Sequence, residues 1–205
     1  MSTGIEITRE SDNGVCLVRL SGTLDLSLGD QELVTDGAQH VVFDFDGVRR
    51  ITSFGILMWT RALEALQAEY VGMVRCRPAI VQQLNVVSNF AGNADLISVY
   101  LPFVCDPCDK EFDVLWGLSE KHPLAVARQV EPVKCPKCFK EAEFDDVPKS
   151  YFSFADRIPA PQVPTAVSAR LLSAQLKENS RGVKTRPPAS PGMATASGDG
   201  LTKGE

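Results

Sequence analysis

Val41-Val-Phe-Asp-Phe-Asp46, followed by Gly47-Val-Arg-Arg-Ile-Thr-Ser-Phe-Gly55, is the stretch whose reading decides the fold. Its first half alternates, with Val41, Phe43 and Phe45 on one face and Asp44 and Asp46 on the other, as a strand requires. Its second half runs into Phe54 to Tyr70, where Ile56, Trp59, Leu63, Leu66 and Tyr70 recur near helical spacing. A strand that passes through a short loop into an amphipathic helix is the unit of α/β architecture. Upstream, Val15 to Ser21 is strand-like and ends at Gly22, and Gln31 to Ala38 adds a short helix. Downstream, Val71 to Cys76 is a third strand. Pro78 opens a helix through Val86, since proline is tolerated in a first turn, and Leu96 to Phe103 is a final strand.

Two pairs, Cys105-Asp-Pro-Cys108 and Cys135-Pro-Lys-Cys138, follow that strand, 26 residues apart. Each pair places two thiolates on one ion through a tight turn, and two such turns complete a tetrahedral site suited to zinc. The expected cofactor is one structural Zn2+ per chain, held by Cys105, Cys108, Cys135 and Cys138. The alternative is packed or redox-active cysteine pairs. Four thiolates leave no open position for catalysis. The segment resembles a zinc ribbon, although Asp109 and Phe139 stand where such turns often carry Gly. Cys16 and Cys76 lie inside strands and read as buried apolar thiols.

Composition narrows the classes of function. The 205 residues carry 21 Lys+Arg against 26 Asp+Glu, a net charge of −5. Acidic residues crowd the cysteine segment: Asp106, Asp109, Glu111, Asp113, Glu141, Glu143, Asp145 and Asp146. Such a surface repels phosphate, so a nucleic-acid partner is not expected. No apolar run reaches the ~20 residues of a membrane span. The N-terminus has no secretory pattern, so a cytoplasmic location is expected. Only His40 and His122 offer imidazoles. With no nucleophile–base pair, no Gly-rich phosphate loop and no open metal site, an enzyme is not expected.

Ser53 falls where the N-cap of the helix belongs, and its hydroxyl suits an orphan N–H there. A phosphate at that position is also tolerated, because helix N-termini favour negative charge. It would add up to about two charges. Capping and switching are both open from these residues alone. Here the chain resembles the STAS family, the domain of anti-sigma factor antagonists. The resemblance rests on Leu20-Ser-Gly-Thr-Leu-Asp25, on Val41 to Val48, on Ile51-Thr-Ser-Phe-Gly-Ile56 with its helix, and on the order of the later elements. It covers about residues 5–103. It implies that Ser53 is the serine phosphorylated by a kinase that is also the anti-sigma factor, and that Asp25 lies in the loop near it. Thr52 stands where that family carries Asp, and Phe54 where it carries a second Ser or Thr, while Gly55 matches.

The expected organisation is α/β: a STAS-like mixed β-sheet with helices packed on it over 1–103, a zinc-ribbon-like module over 104–155, and a largely disordered tail over 156–205 with a short helix at 166–178. That helix, carrying Val167, Leu171, Leu172 and Leu176, is either transient or docks on a partner or on the chain itself. Phe144, Tyr151, Phe152 and Phe154 either pack the ribbon onto the first domain or form an exposed partner site. The expected function is a bacterial, non-enzymatic signalling module. It would bind a regulatory protein, by the resemblance an anti-sigma factor and serine kinase, through Asp25, Thr52, Ser53 and Gly55. The alternatives are a zinc-stabilised scaffold without a phosphoswitch and, further off, a zinc-ribbon nucleic-acid binder.

Overall fold

Asn13 and Gly14 both adopt positive φ, 50° and 75°, which matches the right-handed twist of a two-residue hairpin turn. They join β1 (Ile5–Asp12) to β2 (Val15–Leu24) in antiparallel register, Asp12 opposite Val15. The computed structural model describes residues 4–30, 35 and 37–179. The helix expected over 31–38 falls largely outside them.

β3 (His40–Ile51), β4 (Tyr70–Val74) and the two-residue β5 (Asp95–Leu96) follow in parallel, giving a mixed five-stranded sheet in the order β1-β2-β3-β4-β5. Helices α1 (Ser53–Ala65) and α2 (Pro78–Val86) cover one face. Under them Phe43 and Phe45 meet Trp59 edge-on, and the Trp59 indole N–H donates to the Phe90 carbonyl at 2.8 Å. The fold is therefore α/β with a mixed sheet and helices packed on it, as expected.

Several boundaries differ from the sequence reading. β2 and β3 run on to Leu24 and Ile51, past the turn expected at Gly22 and into the loop expected from Gly47. α1 ends at Ala65, because Tyr70 pairs with His40 as the first residue of β4. The strand expected at 96–103 is divided: after Ile97 the chain leaves the first sheet, keeps a Cys76–Val99 bridge beside it, and runs on as β6 (Ser98–Cys105). β6 pairs antiparallel with β7 (Lys110–Gly117) and β9 (Glu141–Phe144). The short β8 (Val133–Lys134) completes a second sheet in the order β7-β6-β9-β8.

The aromatic residues past the second cysteine pair belong to the core. Tyr151, Phe152 and Phe154 are buried, and Phe152 stacks on Trp116 and Phe144. Together with the hydroxyl of Tyr151, which donates to the Tyr100 carbonyl, they close the second sheet. The side chains of Asn85 and Arg157 then join this region to α2: Asn85 donates to the Tyr151 carbonyl at 3.0 Å, and Arg157 donates to the Leu84 carbonyl at 2.6 Å. α3 (Leu118–Val126) and the single turn α4 (Pro148–Tyr151) complete this half.

In the segment expected to be a largely disordered tail, the short helix expected at 166–178 is α5 (Thr165–Asn179), 15 residues long. α5 lies on the face of the first sheet opposite α1 and α2. There Val167 and Ala174 bury against Val15, Leu17, Val42 and Val74. With both faces covered, Val15–Val18 of β2 and Val41–Phe45 of β3 are buried without interruption, as central strands between two layers should be. Arg170 of α5 is also buried and donates to Glu10 at 2.8 Å. Arg170 and Arg19 hold the Glu10 carboxyl below the usual carboxylate range, so this tether is complete at neutral pH and is lost only as pH falls through that lowered value.

Candidate functional site

The four cysteines predicted to bind metal converge. Their Sγ atoms all lie within 4.8 Å of one another. Cys105 and Cys138 are 3.4 Å apart, Cys108 and Cys135 3.6 Å. A tetrahedron with metal–sulfur bonds of about 2.3 Å has sulfurs about 3.8 Å apart, so the cluster fits a metal ion with little adjustment. Each pair reaches this geometry in the same way. The first spans the 3₁₀ turn Asp106–Cys108 and ends at Asp109 with φ 50°; the second ends at Phe139 with φ 61°. These are the positions where Gly is common, and the chain takes the left-handed conformation there without it. Backbone N–H groups converge on the second pair, with Lys137 donating to the Cys135 sulfur at 3.4 Å.

The thiols respond to this crowding. Burial and hydrogen bonds with its neighbours push Cys105 up to about 12. Burial also pushes Cys135 up, but donation from the Cys138 and Lys137 backbone outweighs it and brings Cys135 down to about 6. Four sulfurs this close do not all carry charge on their own, whereas a dication lets them.

Phe139 is 75% exposed, so its ring offsets little of the cost of a left-handed backbone, about 1–2 kcal/mol for a side chain bearing Cβ. Phe139→Gly is expected to stabilise the metal-loaded protein by about 1 kcal/mol, seen as a rise in melting temperature. A fall would mean that the exposed ring contributes packing that its exposure hides.

The second predicted site lies where β2 and β3 end side by side. Leu24 pairs with Ile51, and the Thr52 N–H donates to the Leu24 carbonyl at 2.9 Å. The N-cap of α1 is Thr52, not Ser53: the Thr52 hydroxyl accepts from the Gly55 N–H at 3.1 Å. The cap falls one residue early because the Leu24 contact fixes Thr52 in an extended conformation. Ser53 becomes the first helical residue, and its side chain is exposed. Gly55 is buried against β2, where a Cβ would stand 1.9 Å from the Leu24 oxygen. The half-buried Asp25 carboxylate accepts from the Ser27 N–H at 3.0 Å and from its hydroxyl at 2.6 Å. It thereby shapes the turn Leu26–Asp30, which lies close against Met58 of α1.

The sequence reading missed the exposed apolar residues on the elements that flank this serine. Leu26 is 57% exposed, Phe54 63% and Leu57 41%. Leu57 follows Phe54 by three residues, and both fall outside the core-facing stripe of Ile56, Trp59 and Leu63. That mismatch was the available signal. Arg49 and Arg50, at the end of β3, are exposed, and α1 has no acidic residue in its first turn. No helix among the described residues is long and apolar enough to cross a membrane.

No protein-family model and no curated protein matches the chain. Among solved structures, the chain is similar to an anti-sigma factor antagonist from Mycobacterium paratuberculosis, at 25% identity over 41% of this chain and 78% of that one, with a TM-score of 0.35.

Proposed function

We propose that this protein is a non-enzymatic signalling module that binds a regulatory protein through the surface around Asp25, Thr52, Ser53 and Gly55. One observation carries the reading. Ser53 is exposed at the N-terminus of α1, with Phe54 and Leu57 exposed on the same helix and Leu26 on the turn packed against it. Apolar side chains held in the open beside a polar switch point suit a protein interface better than a solvated loop. Phosphorylation of Ser53 would be favoured locally by the uncompensated helix terminus, with Arg49 and Arg50 near in sequence. It would oppose partner binding by placing charge and bound water in an apolar contact. The resemblance to anti-sigma factor antagonists supplies the partner class: an anti-sigma factor that is also a serine kinase. The four-cysteine site holds a structural zinc that fixes the second sheet, and the module works in the cytoplasm.

Affinity purification from the native cell, with mass spectrometry reading both partners and modification, tests this. Ser53→Asp is expected to weaken partner retention by tenfold or more, about 1.4 kcal/mol, and Phe54→Ala by a similar factor. A stable complex indifferent to both changes, with no phosphate on Ser53, would instead assign a scaffold role. Metal analysis of untagged protein is expected to return one zinc per chain.

A further inference from the structure

Between the first sheet, α5 and the β6–β7 hairpin lies a cavity of about 320 Å³. It is on the opposite face of the sheet from α1 and Ser53, and it shares no residue with the cysteine cluster. Leu17, Val74, Ile97, Leu171 and Ala174 give it apolar walls. Asp44, Arg75, Ser98 and Tyr100 form its polar end. A space of this size is at the small end of ligand pockets.

The polar end is built with care. Asp44 is 2% exposed, on the face of β3 opposite Val41, Phe43 and Phe45. It is held by the Arg75 guanidinium, whose Nε donates to it at 2.9 Å, by the Asp46 N–H at 3.0 Å, and by Arg19 at 3.7 Å. Arg75 adopts φ 53° to make this contact, a backbone conformation that long side chains take only where the surroundings over-determine it. The Arg75 N–H donates to the Ser98 hydroxyl at 2.9 Å. Ser98 therefore keeps its own proton to give, and it is buried at 7% exposure.

We propose that this cavity binds a small uncharged molecule, apolar over most of its surface and carrying one hydrogen-bond acceptor, such as a ketone or ester carbonyl, that takes the Ser98 proton. The class follows from charge. Asp44 is matched by Arg75 and Arg19, and Asp46 by Arg77 at 2.6 Å. A charged ligand would lose its hydration with no counter-charge left for it. The walls then select for apolar surface, and Gln175, exposed on α5, marks the mouth.

Methyl NMR titration of the full chain with cyclohexanone tests the site. Saturable shifts of the Leu17, Val74 and Leu171 methyls are expected. Cyclohexanecarboxylate is expected to bind at least about tenfold more weakly, because its charge would be buried unpaired. Ser98→Ala should weaken the ketone about fivefold, the worth of one neutral hydrogen bond. Ala174→Leu, which fills the space, should abolish the shifts. Absence of saturable shifts in the folded wild-type protein would overturn the proposal. So would a carboxylate that binds as well as the ketone, or shifts that persist unchanged when the cavity is filled.

Discussion

Serine in place of any one of Cys105, Cys108, Cys135 and Cys138 is expected to take bound metal from one equivalent per chain to near zero and to unravel one end of the second sheet. The effect is large because that end has little else to hold it. β8 has two residues and β9 four, and Lys134, Pro136, Lys137, Phe139 and Lys140 around the second turn are all exposed. The aromatic stack begins two positions inside that end, at the Phe103–Phe112 pair, and runs away from the turns through Phe144 and Phe152 to Trp116. Structural zinc in small modules contributes on the order of 10 kcal/mol, comparable to the whole stability of a domain. Hydrogen exchange should show residues 105–111 and 133–141 losing protection while β2 and β3 keep theirs. Chelation should reproduce the pattern. Acid should as well, because protons compete with metal for thiolate, so affinity falls as pH falls. Wild-type protein that held no metal, with a Cys138→Ser variant that kept full protection, would mean that the cluster is a packed thiol core.

How much of this was legible depended on what each segment had to satisfy. α2 runs over Pro78–Val86 as expected because Pro78 is tolerated only at its start. The cysteine cluster was legible because spacing alone sets its local geometry. β1 was not read as a strand. Only Ile5 and Ile7 alternate before Arg9 to Asp12, and it is an edge strand facing water along most of its length. The usable signal was Asn13-Gly14. The face of α5 was misjudged for a different reason. Leu172 stands 61% exposed while Arg170 is buried, because Glu10, 160 residues away in sequence, draws the guanidinium inward. The burial of Asp44 was likewise not legible, because its partner Arg75 lies 31 residues away in sequence. Long-range ion pairs of this kind leave no periodicity in a sequence.

Gly55→Ala is the second large effect, and its sign runs against helix propensity. Ala is favoured over Gly by about 1 kcal/mol inside an exposed helix. Here the new Cβ would stand 1.9 Å from the Leu24 oxygen, 2.4 Å from its carbonyl carbon and 2.9 Å from the Asp25 nitrogen. All three are backbone atoms, so no rotamer change relieves the clash. Leu24 itself is fully buried and held in register with Ile51. The start of α1 must therefore lift away, breaking the bond from the Thr52 N–H to Leu24 and opening the cap that Thr52 gives Gly55. A loss of about 3 kcal/mol is expected, at the upper end for overpacking a fixed site. The protein that remains folded should also present Ser53, Phe54 and Leu57 in altered positions and bind its partner less well. Gly117→Ala provides the control: nothing lies within 4 Å of its Cβ position, its φ of −82° suits any residue, and a change within about 0.5 kcal/mol is expected. Denaturant unfolding of both variants separates the outcomes. A Gly55→Ala protein as stable as the control would show that the contact between the start of α1 and the end of β2 is loose, and with it the fixed placement of Ser53.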